Sequence, residues 1–235
     1  MKGLATDIEA SLYLVAGNGS VVYNIQEEKA IYTNYLSKEK VLEIVKKCDE
    51  NSIFYSVFMN DTIITKGLKH DISFFSYENR LNEEMKIEVL EDIYEYVQNY
   101  ENNDFLKITI CDNNKIIFSR IMNVLREIKN IDVLDVAHMS TKRIKTGLEE
   151  IKIAYFYTEI TNENANKWTA LEYLIKELGI TAEETMTIGD NINDIEMIKK
   201  SGMGVAMGNS YPELKEISKD SVADNDLSRS CRSYK

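Results

Sequence analysis

A short acidic segment is the part of the sequence whose residue types most clearly suggest chemistry. Asp190 and Asp194 follow a glycine, lie four positions apart, and enclose Asn191 and Asn193. Carboxylate and amide oxygens at this spacing suit Mg²⁺, which favours one or two carboxylates together with waters and substrate phosphate. The same residues also suit a simple turn, in which Asn193 or Asp194 caps the next helix. The segment by itself leaves both roles open.

The elements around this segment have the pattern of an α/β unit. A buried strand is predicted over residues 185–188, a helix over 195–200 and another short strand at 205–206. Ser210 and Glu213 have the spacing of a capping box at the start of a further helix. Because open α/β sheets bind ligands beyond the carboxyl ends of their strands, the acidic segment lies where a site is expected.

The helix before this unit is predicted to begin at Asn164 or Asn166. Its apolar spacing continues to Leu178, and Gly179 is the expected stop. The elements further upstream alternate between strand and helix. Strands are predicted over residues 53–59, 62–65, 105–111, 131–138 and 151–160. Helices are predicted over residues 38–50, 84–99 and 114–128, with Ser37 and Asp112 as caps. This order predicts a mixed open sheet with helices on one face, an α+β domain.

Composition and charge exclude several classes of partner. The chain has 235 residues, a net charge of −11 and 44% hydrophobic residues, as expected of a globular protein. The negative field disfavours nucleic acid and anionic membrane surfaces, so a phosphorylated substrate would need a local cation. No apolar run approaches the ~18 residues that span a bilayer. Three separated cysteines and two histidines make disulfides and zinc sites unexpected, and a cytoplasmic location is predicted.

Residues 185–210 closely resemble the fourth motif of the Cof-type haloacid dehalogenase-like hydrolases. Residues 16–20, Ala-Gly-Asn-Gly-Ser, resemble the segment that enters the cap of that family. Residues 160–174 resemble its third motif, with Lys167 as the motif lysine. The resemblance extends over about residues 12–220, which is most of the chain.

The fold that this resemblance implies is α/β, with a Rossmann-like core and an inserted α+β cap of subclass IIB. Residues 1–20 and 161–235 would form the core, and residues 21–160 would form the cap. The core is expected to be incomplete, because the family places a helix, a strand with a second motif, and another helix before the cap. Only ten positions separate Asp7 from Gly17, too few for these elements.

The activity implied is Mg²⁺-dependent hydrolysis of a small phosphorylated metabolite, such as a sugar phosphate, through an aspartyl-phosphate. By resemblance, Asp190 would bind Mg²⁺ and Asp194 would support the water shell of the ion. Lys167 would contact the phosphoryl oxygens and act in catalysis. Asn18 and Asn193 would take part in binding the substrate.

The first motif of the family, Asp-x-Asp-Gly-Thr, is altered in this chain. Asp7 matches the nucleophile, and Glu9 replaces the acid/base aspartate with a carboxyl one methylene longer. Both would contribute to the metal site, Asp7 through its carboxylate and residue 9 through its backbone carbonyl. Two interpretations stay open: residues 1–8 are the true first strand joined to the cap by a deletion, or residues 9–20 follow an unrelated start. The Leu-Ala-Thr-Asp pattern favours the first.

These departures support an alternative to an active enzyme. The chain could be a catalytically impaired or inactive remnant that binds a phosphorylated ligand or a protein partner. A core without its second strand is also expected to expose apolar surface, which predicts self-association or low stability.

Overall fold

The computed structural model describes residues 12–66, 86–134, 139–146 and 149–224. For the described residues between 139 and 155 it describes the backbone only. The chain divides into two compact units, with the boundary between Asn164 and Ala165. The predicted division into a core of residues 1–20 and 161–235 and a cap of residues 21–160 stays a prediction.

A small antiparallel sheet begins the described part of the first unit. Its strands, in the order in which they pair, are β1 (Tyr13–Ala16), β2 (Val21–Asn24) and β3 (Lys29–Thr33). The turn Gly17–Gly19 joins β1 to β2, and Asn18 has a φ of 58° there, a left-handed conformation that asparagine tolerates. The Ser20 hydroxyl fixes the turn by donating to the carbonyls of Gly17 at 2.8 Å and Leu106 at 3.0 Å.

The first unit also contains a larger mixed sheet. Its strands are β4 (Phe54–Met59), β5 (Thr62–Thr65), β6 (Lys86–Val89), β7 (Phe105–Asp112), β8 (Ile131–Val133), β9 (Met139–Thr146) and β10 (Glu149–Asn162). The spatial order is β6-β5-β4-β7-β10-β8, and β9 forms a long hairpin with β10. β5 and β6 run parallel, whereas β4, β7, β8 and β10 pair antiparallel, so the sheet is mixed as predicted.

In the part of the first unit that the structure describes, three helices pack on this sheet: α1 (Lys38–Glu50), α2 (Ile93–Asn99) and α3 (Lys115–Leu125). Their buried side chains form one core with sheet residues that include Tyr55, Val57, Ile108, Ile110 and Ile160. Burial of this apolar surface is what holds the helices against the sheet.

Helix α1 has the predicted bounds and cap, since the Ser37 side chain accepts a hydrogen bond from the Lys40 backbone. Two other predictions were wrong. A helix was expected over 84–99, of which residues 86–99 are described. They form strand β6 followed by α2, because residues 86–89 pair with β5 and Asp92 caps a later start. The cap of α3 is Asn114 rather than Asp112, whose carboxylate instead accepts from the Asn114 backbone at 2.6 Å.

The second unit is a short α/β unit with a parallel sheet in the order β11-β12-β13. Its elements are α4 (Lys167–Leu178), β11 (Met186–Gly189), α5 (Ile195–Lys200), β12 (Met203–Ala206), α6 (Pro212–Ile217) and β13 (Asp220–Ser221). The buried core contains Trp168, Met197, Ile198 and Leu214. Asn166 caps α4, and Gly179 ends it with a left-handed φ of 67°, both as the pattern predicted.

The capping box predicted at Ser210 is not formed. Tyr211 is the N-cap of α6 and makes no capping hydrogen bond through its side chain. The Ser210 hydroxyl donates instead to the backbone carbonyl of Gly189 at 3.1 Å. A hydrogen bond to the neighbouring strand has therefore replaced the local one.

Some large apolar side chains of the second unit face solvent. Leu178 is 49% exposed, Ile180 37% and Met186 48%. The exposed patch expected on the sheet and the self-association expected from it both stay predictions. Within the described ranges, no helix has both the length and the apolar character needed to cross a bilayer.

Candidate functional site

The loop after β11 is folded around the side chain of Asp194. Asn191 begins the turn Ile192–Asp194, and Asp194 is the third residue of that turn. Its Oδ2 accepts hydrogen bonds from the backbone N–H groups of Asp190 and Asn191, each at 3.0 Å. A Cβ on Gly189 would lie only 2.5 Å from Cβ of Asp194, so the loop requires glycine at that position.

The other oxygen of Asp194 holds a lysine from the neighbouring helix. Nζ of Lys167 donates to Oδ1 of Asp194 at 2.5 Å. The Asp194 side chain is 2% exposed and the Lys167 side chain is 34% exposed. The Asn166 cap fixes the start of α4, because its side chain accepts from the Thr169 backbone at 3.0 Å. One ammonium group is thus held beside the loop that carries Asp190.

A second loop, after β12, reaches the same place. The backbone N–H of Met207 donates to the Gly189 carbonyl at 3.0 Å. Nδ2 of Asn209 donates to Oδ2 of Asp190 at 3.1 Å. Neither Asn209 nor Ser210 was predicted as a site residue, although both lie within the stretch that resembles the fourth motif. The available signal was their position after a neighbouring parallel strand, whose carboxyl end reaches the same edge of the sheet.

The oxygen donors of this site fit a divalent cation in part. Asp194 already accepts three hydrogen bonds, whereas Asp190 is half-buried and accepts one from Asn209. Mg²⁺ needs only one or two protein carboxylates, so Asp190 is a suitable ligand. No cluster of three or more His, Cys, Asp or Glu side chains suited to a metal occurs within the described ranges.

The predicted site residues are therefore found in different places. Lys167, Asp190, Asn193 and Asp194 belong to the second unit, with Asn193 in the turn that Asp194 closes. Asn18 lies in the turn Gly17–Gly19 of the first unit. Asp7 and Glu9 are outside the described residues. The catalytic, substrate-binding and metal-binding roles given to all of them stay predictions.

The chain matches the family model of the haloacid dehalogenase-like hydrolases over residues 1–228. It is 25% identical over 225 residues to phosphatase YwpJ of Bacillus subtilis (strain 168), covering 91% of this chain and 75% of that protein. It is 24% identical to the 5-amino-6-(5-phospho-D-ribitylamino)uracil phosphatase YcsE of the same organism, over 96% and 72% of the two chains.

Among solved structures, the chain resembles the haloacid dehalogenase subclass IIB sugar phosphatase BT4131. The TM-score is 0.68 at 17% identity, and the match covers 96% of this chain and 75% of that one. At this identity the similarity concerns the fold. The predicted α/β fold and the resemblance stated from the motifs are both confirmed.

Proposed function

Because the chain belongs to the haloacid dehalogenase-like hydrolases, we propose that it hydrolyses phosphate monoesters of small metabolites. The enzyme class predicted from the motifs, a phosphoric monoester hydrolase, agrees with the names of its relatives. The observation that carries the proposal is the pairing of Lys167 with buried Asp194 beside the half-buried carboxylate of Asp190. The ammonium group at the start of α4 would thus lie beside the carboxylate that we propose as a metal ligand.

Lys167 is the residue proposed to bind the phosphoryl group. Phosphoryl transfer depends mainly on positioning and on stabilising the charge of the equatorial oxygens. Asp194 would hold the ammonium in place, and the part of Lys167 that remains exposed would be available to the phosphate. Asn193, from the same turn, would add an amide contact to the phosphate or to waters bound by the metal.

The proposed cofactor is Mg²⁺, held by Asp190, the carboxylate of Asp7 and the backbone carbonyl of Glu9. Asp194 would support its water shell. Bound there, the ion would offset the charge of the phosphate in a chain whose net charge is −11. The donor set favours Mg²⁺ because it consists of hard oxygen atoms.

The proposed chemistry proceeds in two displacements. A carboxylate oxygen of Asp7 attacks phosphorus, the ester P–O bond breaks, and Glu9 gives its proton to the leaving oxygen. Glu9 then accepts a proton from water, which attacks the phosphorus of the aspartyl-phosphate. Orthophosphate leaves and the Asp7 carboxylate is regenerated.

The proposed substrate is a sugar phosphate or a similar small ester. The named substrate of YcsE carries its phosphate on a ribityl group, which is a sugar alcohol. Asn18 is the residue of the first unit proposed to contribute to substrate binding. An acidic chain also disfavours polyanionic substrates such as nucleic acid.

Hydrolysis of p-nitrophenyl phosphate and a panel of sugar phosphates with Mg²⁺ tests the proposal. We expect Asp7→Asn and Asp190→Asn each to lower the rate at least about 100-fold. Glu196→Gln is the matched control, because it also removes one carboxylate from the second unit but at an exposed pair with Lys200. No turnover above background by the unmodified chain would refute the activity.

The alternative is the inactive remnant, which the replacement of the acid/base aspartate by Glu9 and the missing second motif favour. A displacement of about 1 Å at a reacting group can lower a rate on the order of 100-fold. Calorimetric titration with orthophosphate, with and without Mg²⁺, separates the two cases. A catalytic site should bind the two cooperatively, whereas independent binding or none favours the remnant.

A further inference from the structure

The loop over residues 207–211 is attached to the end of β11. The Gly189 carbonyl accepts from the Met207 backbone at 3.0 Å and from the Ser210 hydroxyl at 3.1 Å. Ser210 is 7% exposed, and its own N–H donates back to the Met207 carbonyl at 2.9 Å. Because Gly189 directly precedes Asp190, the loop and the Asp190 backbone are fixed by the same carbonyl group.

The same loop has a second attachment at Gly208. Its backbone N–H donates to the Ala223 carbonyl at 3.3 Å, and its carbonyl accepts from Nζ of Lys215 at 2.5 Å. A Cβ on Gly208 would lie 2.7 Å from the Asp224 nitrogen, so the backbone packs too closely for any side chain. Asn209 therefore extends from a segment that is anchored on both sides.

The Asn209 amide is well suited to orient the Asp190 carboxylate without neutralising it. Asn209 is exposed, and its Nδ2 donates to Oδ2 of the half-buried Asp190 at 3.1 Å. A lysine in this position would compete with a cation for the negative charge, whereas an uncharged amide leaves that charge in place. Outer partners of this kind fix the orientation of metal ligands, and their loss typically lowers metal affinity 10–100-fold.

We propose that Asn209 is a positioning residue that holds the Asp190 carboxylate ready for a divalent cation and thereby raises the affinity of the site. The proposal rests on the metal-binding role proposed for Asp190. Asn209 would contact neither the substrate nor the reacting atoms. Its contribution is that the carboxylate loses less rotational freedom when the ion binds.

Titration of the full chain with Mn²⁺ alone tests this role, with free Mn²⁺ followed by electron paramagnetic resonance. We expect Asn209→Ala to weaken Mn²⁺ binding by about 10-fold or more. The urea midpoint of the metal-free protein should stay close to that of the unmodified chain, which a purely structural residue would not allow. Lys215→Met is the control, because it removes one attachment of the same loop without touching Asp190, and we expect it to keep the affinity.

Three results would overturn the proposal: unchanged Mn²⁺ affinity in Asn209→Ala, an equal loss in Lys215→Met, or no Mn²⁺ binding by the unmodified chain. The phosphatase proposal is tested separately by ester hydrolysis. A chain whose Mn²⁺ affinity depends on Asn209 but which hydrolyses no ester would refute the phosphatase proposal and support the role of Asn209.

Discussion

Replacing Asp194 by asparagine tests the ion pair on which the site is built. Three donors converge on its carboxylate: Nζ of Lys167 at 2.5 Å and two backbone N–H groups at 3.0 Å each. An asparagine offers one oxygen and one NH₂ group. Whichever way the amide is oriented, its NH₂ therefore faces a donor, and either the lysine or the two backbone groups lose their acceptor.

The expected cost follows from the less costly of these two orientations. The two backbone donors are part-buried, and a buried donor without an acceptor costs about 1–3 kcal/mol. Losing the acceptor of both should therefore cost more than losing the lysine contact, so the NH₂ should face Lys167. The loss is then one hydrogen bond between charged groups, about 1.5–3 kcal/mol. Because the Lys167 side chain is 34% exposed and can turn towards water, we reduce this to about 2 kcal/mol.

Urea unfolding followed by tryptophan fluorescence measures the stability of the second unit, which contains Asp194. Trp168 is the one tryptophan of the sequence, and it packs in the core of the second unit. Asp194→Asn should lower the urea midpoint by the equivalent of about 2 kcal/mol without changing the slope m. Glu196→Gln, which removes the same charge from an exposed pair, should cost no more than about 0.5 kcal/mol.

A double-mutant cycle with Lys167→Met gives the coupling energy directly. We expect about 1–2 kcal/mol, because the partners share a hydrogen bond at one side of a buried carboxylate. A coupling energy near zero, or a cost for Asp194→Asn no larger than for Glu196→Gln, would show that the Lys167–Asp194 pair does not stabilise the second unit.

Three further predictions concern packing, pH and association. Gly189→Ala should lower the free energy of unfolding by more than about 2 kcal/mol, because the added Cβ would displace Asp194. Gly179→Ala should lower it by about 1 kcal/mol, because the added Cβ meets nothing within 4 Å but the backbone there is left-handed. Equal urea midpoints for the two variants would contradict this. Burial raises the pKa of the Cys48 thiol and of the Tyr55 hydroxyl, and Asp49 contributes to both. The folded state therefore retains protons that the unfolded state releases. The free energy of unfolding should fall by up to about 1.4 kcal/mol per pH unit for each group, above pH 9 for Cys48 and above pH 10 for Tyr55, which are their ordinary pKa values. Urea titrations followed by circular dichroism at several pH values check this, and a stability that does not change with pH would count against it. The exposed apolar side chains of the second unit should cause concentration-dependent association, and a single monomeric boundary at all concentrations in sedimentation velocity would disprove it.

Local signals were sufficient to predict several elements from the sequence. Helix α1 begins after Ser37 and α4 ends at Gly179, because the cap and the apolar spacing agree at each end. The strand leading into Asp190 was predicted from a short apolar run bounded by glycine. These features depend on residues that are close together in the sequence, which is why a pattern reveals them.

Features that depend on distant partners were not predicted. Residues 86–89 have apolar spacing compatible with a helix, but pairing with β5 makes them a strand. Ser210 has capping-box spacing, yet its hydroxyl bonds to Gly189, which lies 21 positions earlier. Asn209 was missed for the same reason, since its contact with Asp190 joins loops from two strands.

The most direct test of the proposed function is to trap the covalent intermediate. The chain is mixed with a ³²P-labelled sugar phosphate and Mg²⁺, quenched with acid within the first turnover, digested and mapped by peptide. We expect a hydroxylamine-sensitive label on the peptide that contains Asp7. Release of phosphate at a measurable rate with no label there, or with the label on another residue, would contradict it.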